Sequence, residues 1–259
     1  MPPTSEPGRS VSSRLLDVLF AFQPGRARLN LAELTRHTGL PRATVRRLAM
    51  ELVQAGALER GEDGRFSVGL RLWQLGTLAP FTESLRTTAR PYMEDLYGAL
   101  RQHVQLAILE GREAVIIERL SHRKAVEVVS QVGGRLPLHC SGVGKVLLSH
   151  SGAAFIDGVL QTKLHRYTPK TQTDPARLRA ELAACRRTGT AVVNEELTLG
   201  ADSVSARIMN GQGDVLAALS VVVRTGSVSA QAVLPTLITS ALAISRTFGW
   251  HPGVRPRVH

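Results

Sequence analysis

LAELTRHTGLPRATVRRLAMELVQAGAL, residues 31–58, is the stretch that decides the first half of this chain. Leu31 and Leu34 stand three apart, on one face of a short helix. Thr38-Gly39 ends that helix, because glycine takes the left-handed conformation after a last turn without steric cost. Pro41 is placed to open a second helix, where its missing N–H is no loss. Val45, Leu48 and Leu52 then recur at helical spacing and form the buried stripe. Arg42, Thr44, Arg46 and Arg47 fall mostly outside it. Two helices joined by a short glycine-containing turn make a helix-turn-helix, whose second helix can enter a DNA major groove.

The flanks extend the unit. Residues 11–22, VSSRLLDVLFAF, carry apolar residues at Val11, Leu15, Leu16, Val18, Leu19 and Phe22, which suits a helix packed beneath the pair. Asp63-Gly64 is a tight-turn signal between residues 57–59 and 65–68, predicting a hairpin. Helix, helix, turn, helix, hairpin is a winged helix-turn-helix over residues 11–69. Arg60 and Arg65 lie in the wing, within reach of phosphate or the minor groove. A set of exposed arginines is in itself only a solvated face; the wing and the preceding helix are what raise the DNA reading above it.

The bulk properties agree. The chain has 259 residues, enough for two domains, and a formal charge of +11, which favours a polyanionic partner. Lysine occurs only at Lys124, Lys145, Lys163 and Lys170, so the basic residues are nearly all arginine, which binds guanine and phosphate bidentately. Cys140 and Cys185 are isolated and form no metal-ligand spacing; two lone cysteines fit a reducing cytoplasm better than a disulfide framework. The first residues are polar and proline-rich, unlike a secretory signal, and no apolar run is long enough to span a bilayer. Residues 230–248 are interrupted by Gln231, Thr236, Thr239, Ser240, Ser245 and Arg246 and read as a buried helix.

Residues 1–10 are expected to be a disordered arm and 252–259 a flexible tail. Residues 70–83 are expected to form a linker helix, with the amphipathic part over 70–78 ending near Pro80. A further helix is expected over 84–101, with Pro91 inside it or near its first turns. Beyond it the period changes to that of strands: 103–109, 114–120 and 125–132, then 190–194, 203–209 and 215–223. Hairpin turns at 110–113 and 210–213 join neighbours. Short helices are predicted over 143–150 and from Asp174-Pro175 to Arg187, the latter capped by Asp174 and stopped by Gly189. Antiparallel strands with segregated helices make residues 84–251 an α+β domain.

These segments together resemble the IclR family of bacterial transcriptional regulators. In the first domain the likeness rests on GLPRATVRRL, on Leu52, Gly56 and Leu58, and on GRFSVGLRLWQLG. In the second it rests on VGGRLPLHCSGVGKVLL, then Glu195-Glu196, Gly200, Gly213 and AALSVVV, in the family's order. The resemblance implies a DNA-binding domain, a linker helix, and an effector-binding domain with a GAF/PAS-like antiparallel sheet and flanking helices. It also implies homodimers, often paired as dimers of dimers, on pseudo-palindromic operators. Ala43 joins Arg42, Thr44, Arg46 and Arg47 as a DNA-facing position.

Gly142-Val143-Gly144-Lys145 is not a phosphate loop: His139 stands where the first glycine is needed, and Val146 follows the lysine. What remains is a helix start whose free N–H groups suit a small carboxylate. The resemblance places the effector at Gly142 and Val143 and transfers Ser203 and Ser220 as small polar contacts. Val193 and Val222 stand where some relatives are polar. Ala125, Val128, Leu136 and Ala201 align with apolar walls. A pocket this apolar suits a larger organic acid or a lactone. His139-Cys140 is not expected to act as a nucleophilic dyad, since neighbours on an extended segment point apart. Nor do Cys140, His139 and His103 show ligand spacing. One of Glu195 and Glu196 is expected to face solvent or pair with an arginine. No catalysis, cofactor or metal is expected. The rival reading is a small-molecule enzyme or metabolite-binding module with an accessory winged-helix domain.

Overall fold

A computed structural model describes residues 10–121, 126 and 130–253. The chain divides into two compact units, Met1–Glu83 and Ser84–His259.

The first unit is three helices and a three-stranded sheet. Helix α1 (Val11–Phe20) is capped by the Ser10 hydroxyl, which accepts from Ser13 N. Helix α2 (Leu31–Thr38) opens on a capping box: Asn30 Oδ1 accepts from Glu33 N, and Glu33 Oε2 accepts from Asn30 N. It stops at Gly39, which has φ +66°. Helix α3 (Arg42–Gln54) begins one residue later than expected. Pro41 is its cap and not its first residue, in an extended conformation with its carbonyl accepting from Val45 N. Strands β1 (Arg28–Leu29), β2 (Leu58–Arg60) and β3 (Phe66–Val68) pair in the order β1-β3-β2, so the wing has one strand more than the hairpin anticipated. Val18, Leu34, Val45, Leu48, Ala49, Leu52, Leu58 and Phe66 form the core beneath. The helical run after the wing is broken into α4 (Leu70–Gly76) and α5 (Pro80–Leu100). Pro80 therefore starts a helix where the sequence suggested an end, as its ring permits at a first turn.

The second unit is built on a six-stranded sheet. Its strands are β4 (His103–Glu110), β5 (Glu113–Leu120), β6 (Arg135–Pro137), β7 (Thr190–Asn194), β8 (Ala201–Met209) and β9 (Val215–Arg224), in the order β6-β5-β4-β9-β8-β7. Every neighbouring pair is antiparallel. Four helices join α5 in covering it: α6 (Gly142–Ser149), α7 (Ala153–Leu160), α8 (Pro175–Thr188) and α9 (Ala230–Thr247). The architecture is α+β. Period-two alternation sorts the strand residues to two faces. Leu219, Val221 and Val223 of β9 join Leu85, Met93, Leu237 and Ile244 of α5 and α9 in one core. Ala218 faces the other way and joins Val143, Val146, Leu148, Leu178 and Leu182 of α6 and α8 in a second.

The predicted strand over 125–132 falls largely outside the described residues, as do Ala125, Val128 and most of both termini. Strand β6 and helix α7 were not anticipated: three residues are too few for a period to show, and AAFIDGVL is too short and evenly apolar to declare a face.

Candidate functional site

Two sites were expected, one in each unit. On α3, Val45, Leu48, Ala49 and Leu52 are buried, and Arg42, Ala43, Arg46 and Arg47 are exposed with Thr44 at the edge. Arg42 and Arg46 are one turn apart and form no ion pair among the described residues. Arg47 Nη1 instead meets Glu51 Oε1 at 2.6 Å. In the wing, the Arg60 guanidinium lies 5.8 Å from the Phe66 ring centre, exposed at the edge of the sheet. Arg65 departs from expectation. Its Nη1 turns back to Glu33 Oε2 at 3.1 Å and to the Arg28 carbonyl at 3.3 Å, tying the wing to α2. Glu33 already serves the capping box, so the same carboxylate closes α2 and anchors β3. Its pKa is lowered, first by the hydrogen bond from Asn30.

In the second unit the sheet face under α6 holds a cavity of about 50 Å³. Its described lining includes Leu136, Gly142, Val143, Val193, Ala201, Ser203, Ser220 and Val222, every expected effector position that the structure describes. Gln105, Ser130, Cys140, Ser141, Leu197 and Thr198 complete it. Gly142 is required by close approach: a Cβ there would stand 2.7 Å from Ser203 Oγ and 2.4 Å from Ser205 Oγ. Helix α6 thus touches β8 through hydrogen alone.

The helix start is not wholly uncapped. The Ser141 hydroxyl donates to the Pro137 carbonyl and accepts from Gly144 N at 3.1 Å, so Gly144 N is taken and the N–H groups of Gly142 and Val143 remain. Ser220 Oγ donates to the Val204 carbonyl at 3.1 Å, leaving lone pairs and no proton for a ligand. Ser205, missed in the sequence, is fully buried and its hydroxyl has no partner. The signal was available: Ser203 and Ser205 are two apart on one strand and share a face.

The dyad is absent from the geometry. His139 Nε2 donates to the His165 carbonyl at 2.9 Å. Burial pushes the Cys140 thiol up to about 12, so it stays protonated. The acidic pair is partnered, but by lysines and not an arginine. Glu195 is held by Lys170 and accepts from Gly200 N, and its pKa is lowered, first by the Lys170 hydrogen bond. Glu196 is buried, with Lys145 Nζ at 2.5 Å; the same ammonium meets Glu181 Oε2 at 2.7 Å. Lys145 of the glycine-lysine element is therefore a buried structural cation. Among the described residues no three His, Cys, Asp or Glu side chains come together as a metal site.

Two family models match: the IclR helix-turn-helix domain over residues 12–62 and the C-terminal domain of bacterial IclR regulators over 82–246. The Pca regulon regulatory protein of Pseudomonas putida is 33% identical over 241 residues, covering 90% of this chain and 81% of its own. The regulator XynR of Escherichia coli is 29% identical over 242 residues, covering 92% and 96%. A crystal structure of an IclR homolog from Microbacterium hydrocarbonoxydans, complexed with 4-hydroxybenzoate, superposes with a TM-score of 0.87 at 35% identity, over 93% of this chain and 99% of that one.

Proposed function

Because this chain belongs to the IclR family of bacterial transcriptional regulators, we propose that a small organic acid, bound under the start of α6, controls its grip on a DNA operator. The DNA-binding helix-turn-helix and the ligand-binding C-terminal domain are the family's two working parts; the acid and the residues that hold it are the inference. Arg42, Thr44 and Arg46 of α3 read base edges, with Ala43 against the groove. Arg60 meets phosphate from the wing. Arg47 and Arg65 are secondary, because each is already ion-paired on the protein.

The observation that carries the effector half is the cavity at Gly142. Two free N–H groups at a helix start, with hydroxyls of Ser203 and Ser205 opposite, present donors to a carboxylate without a cation. Leu136, Val193, Ala201 and Val222 form the apolar walls that a ring or chain needs. The cavity is smaller than the roughly 150 Å³ that holds benzene. An acid of that size enters only by displacing lining side chains, so it binds an expanded state better than the compact one. Such a difference in affinity is what a ligand needs to shift a conformational equilibrium.

The regulator acts as a homodimer, or a dimer of dimers, on a pseudo-palindromic site in the cytoplasm. Leu70, Trp73, Leu75 and Leu78 support a second copy: all four are exposed on and just after α4, a concentration of apolar surface unusual for a solvated segment. No helix among the described residues is long and apolar enough to cross a membrane.

Calorimetric titration of the full chain with 4-hydroxybenzoate and related acids, paired with binding to its own upstream DNA, tests the reading. The Gly142→Leu variant is expected to lose the acid and its effect on DNA while still binding DNA. Ser203→Ala is expected to weaken the acid by about 0.5–1.5 kcal/mol, one neutral hydrogen bond. Undiminished binding by Gly142→Leu would place the effector elsewhere.

A further inference from the structure

A half-buried guanidinium faces the same side of the sheet as the cavity and has no anionic side-chain partner among the described residues. Arg119 on β5 stands directly opposite Gln105 on β4, which stands opposite Ser220 on β9, which stands opposite Ser205 on β8. Residues paired across antiparallel strands share a face. The four side chains therefore form one polar row beneath α6, with the apolar Ala218 and Val222 on either side of it on β9 and the polar Ser203 and His103 beside it on β8 and β4. Its two ends are unsatisfied: Ser205 Oγ and Arg119 Nε are both buried without a partner.

Arg119 is tied to the cavity wall. Its Nη1 donates to the carbonyl of Ser130, and the Ser130 hydroxyl accepts from Gln105 Nε2. Both Ser130 and Gln105 line the cavity. Arg119 Nη2 lies 3.4 Å from His103 Nδ1. His103 Nε2 must donate to the Val126 carbonyl at 2.6 Å, so Nδ1 of the neutral ring is the acceptor. Among the described residues, every partner of the Arg119 guanidinium is thus neutral; only its backbone N–H meets a carboxylate, that of Glu118. The adjacent carboxylate, Glu118, belongs to Arg86 and Arg90 of α5, at 3.2 and 3.9 Å. Burial lowers the Arg119 pKa, yet arginine stays charged in proteins. A half-buried cation whose described partners are all neutral is a costly arrangement that an anion relieves.

We propose that Arg119 receives a second anionic group of the effector, so that the site takes a diacid with one carboxylate at the α6 start and the other at the β4–β5 end. This rests on the reading that places the first carboxylate at Gly142 and Val143. The strands bearing Ser205 and Arg119 are about 14 Å apart. An arginine side chain spans part of that distance, so the span left between the donors matches an aromatic ring or a short chain once the lining side chains are displaced. The apolar walls then clasp the middle of the ligand, and the polar row contacts both ends.

The test is calorimetry on the full chain at fixed ionic strength with three acids of one shape: benzoate, terephthalate and 4-carbamoylbenzoate. The parent is expected to bind terephthalate about ten-fold or more tighter than 4-carbamoylbenzoate, the worth of one charge-assisted hydrogen bond. The Arg119→Gln variant is expected to lose that preference while binding benzoate within about two-fold of the parent, a change smaller than one such bond. Equal binding of terephthalate and 4-carbamoylbenzoate by the parent overturns the proposal without any variant, and so does a preference that survives in Arg119→Gln. If the parent binds benzoate but gains nothing from the second carboxylate, only the assignment of Arg119 fails. If it binds none of the three, the carboxylate site at α6 fails with it.

Discussion

Seven arginine and small-residue positions were candidates for DNA contact, and their neighbours separate them. Arg42 and Arg46 project from the first turns of α3 with no protein partner among the described residues, whereas Arg47 and Arg65 are held by Glu51 and Glu33. A guanidinium already in a bidentate or anchoring contact must break it to reach a base. Arg42 and Arg46 are therefore the residues we propose for the readout. The Arg42→Ala, Arg46→Ala double variant is expected to lose about 1–3 kcal/mol of discrimination per lost bidentate guanine contact. Competition binding with the operator and with base-substituted operators measures this. Loss of affinity that is uniform across sequences would reassign both residues to phosphate.

Helix α6 is the element on which the second unit turns. Its first residue touches β8, its fourth is the buried Lys145, and its cap is His150. Lys145→Met leaves Glu196 buried without its cation, at a cost of about 3–5 kcal/mol. Pairing it with Glu196→Gln is expected to restore most of the loss. Urea unfolding followed by Trp250 fluorescence, in a Trp73→Phe background, reports the second unit alone. His150 supplies a pH dependence. Its Nδ1–H donates to the Val146 carbonyl at 2.9 Å and its Nε2 accepts from Arg207 Nη1 at 3.0 Å. Burial, with Arg207 alongside, lowers its pKa to about 4. The unfolded ring protonates near 6.5 and the folded ring only near 4, so the unfolded state binds more protons between them. Stability is full above about pH 6.5 and falls by about 3 kcal/mol as pH drops to 4. The His150→Gln variant is expected to flatten that part of the profile in the same unfolding assay.

At the scale of the whole molecule the two units divide the labour, and in the proposed dimer two copies of α3 would meet one duplex. A two-fold dimer sets half-sites about one helical turn apart. Each phosphate neutralised contributes about −0.9 to the slope of log K against log salt. The full chain is expected to sediment as a dimer or larger and to show a steep slope, and Leu75→Glu with Leu78→Glu is expected to weaken both association and operator binding. A monomer that binds a single half-site at full affinity would contradict the arrangement.

What the amino-acid order determined by itself is whatever repeats within a few residues. The stripe Val45-Leu48-Leu52, the stop at Gly39, the turn at Asp63-Gly64 and the strand-forming runs at 203–209 and 215–223 are all local regularities, and each formed where it was placed, β8 starting two residues early and β9 ending one residue later. The effector positions were reached through likeness to a family, and the structure gathers the described ones around one cavity because β7, β8, β9 and α6 converge there. Tertiary structure decided what depends on partners far along the chain. Arg65 turned inward because Glu33 lies 32 residues earlier, and Lys145 was neutralised by Glu181 and Glu196, 36 and 51 residues later. Ser141 capped α6, and the Arg119 guanidinium, across the sheet from Ser205, meets only neutral groups among the described residues. Charge and hydrogen-bond satisfaction are pairwise properties of groups brought together by the fold, so no window of sequence contains them.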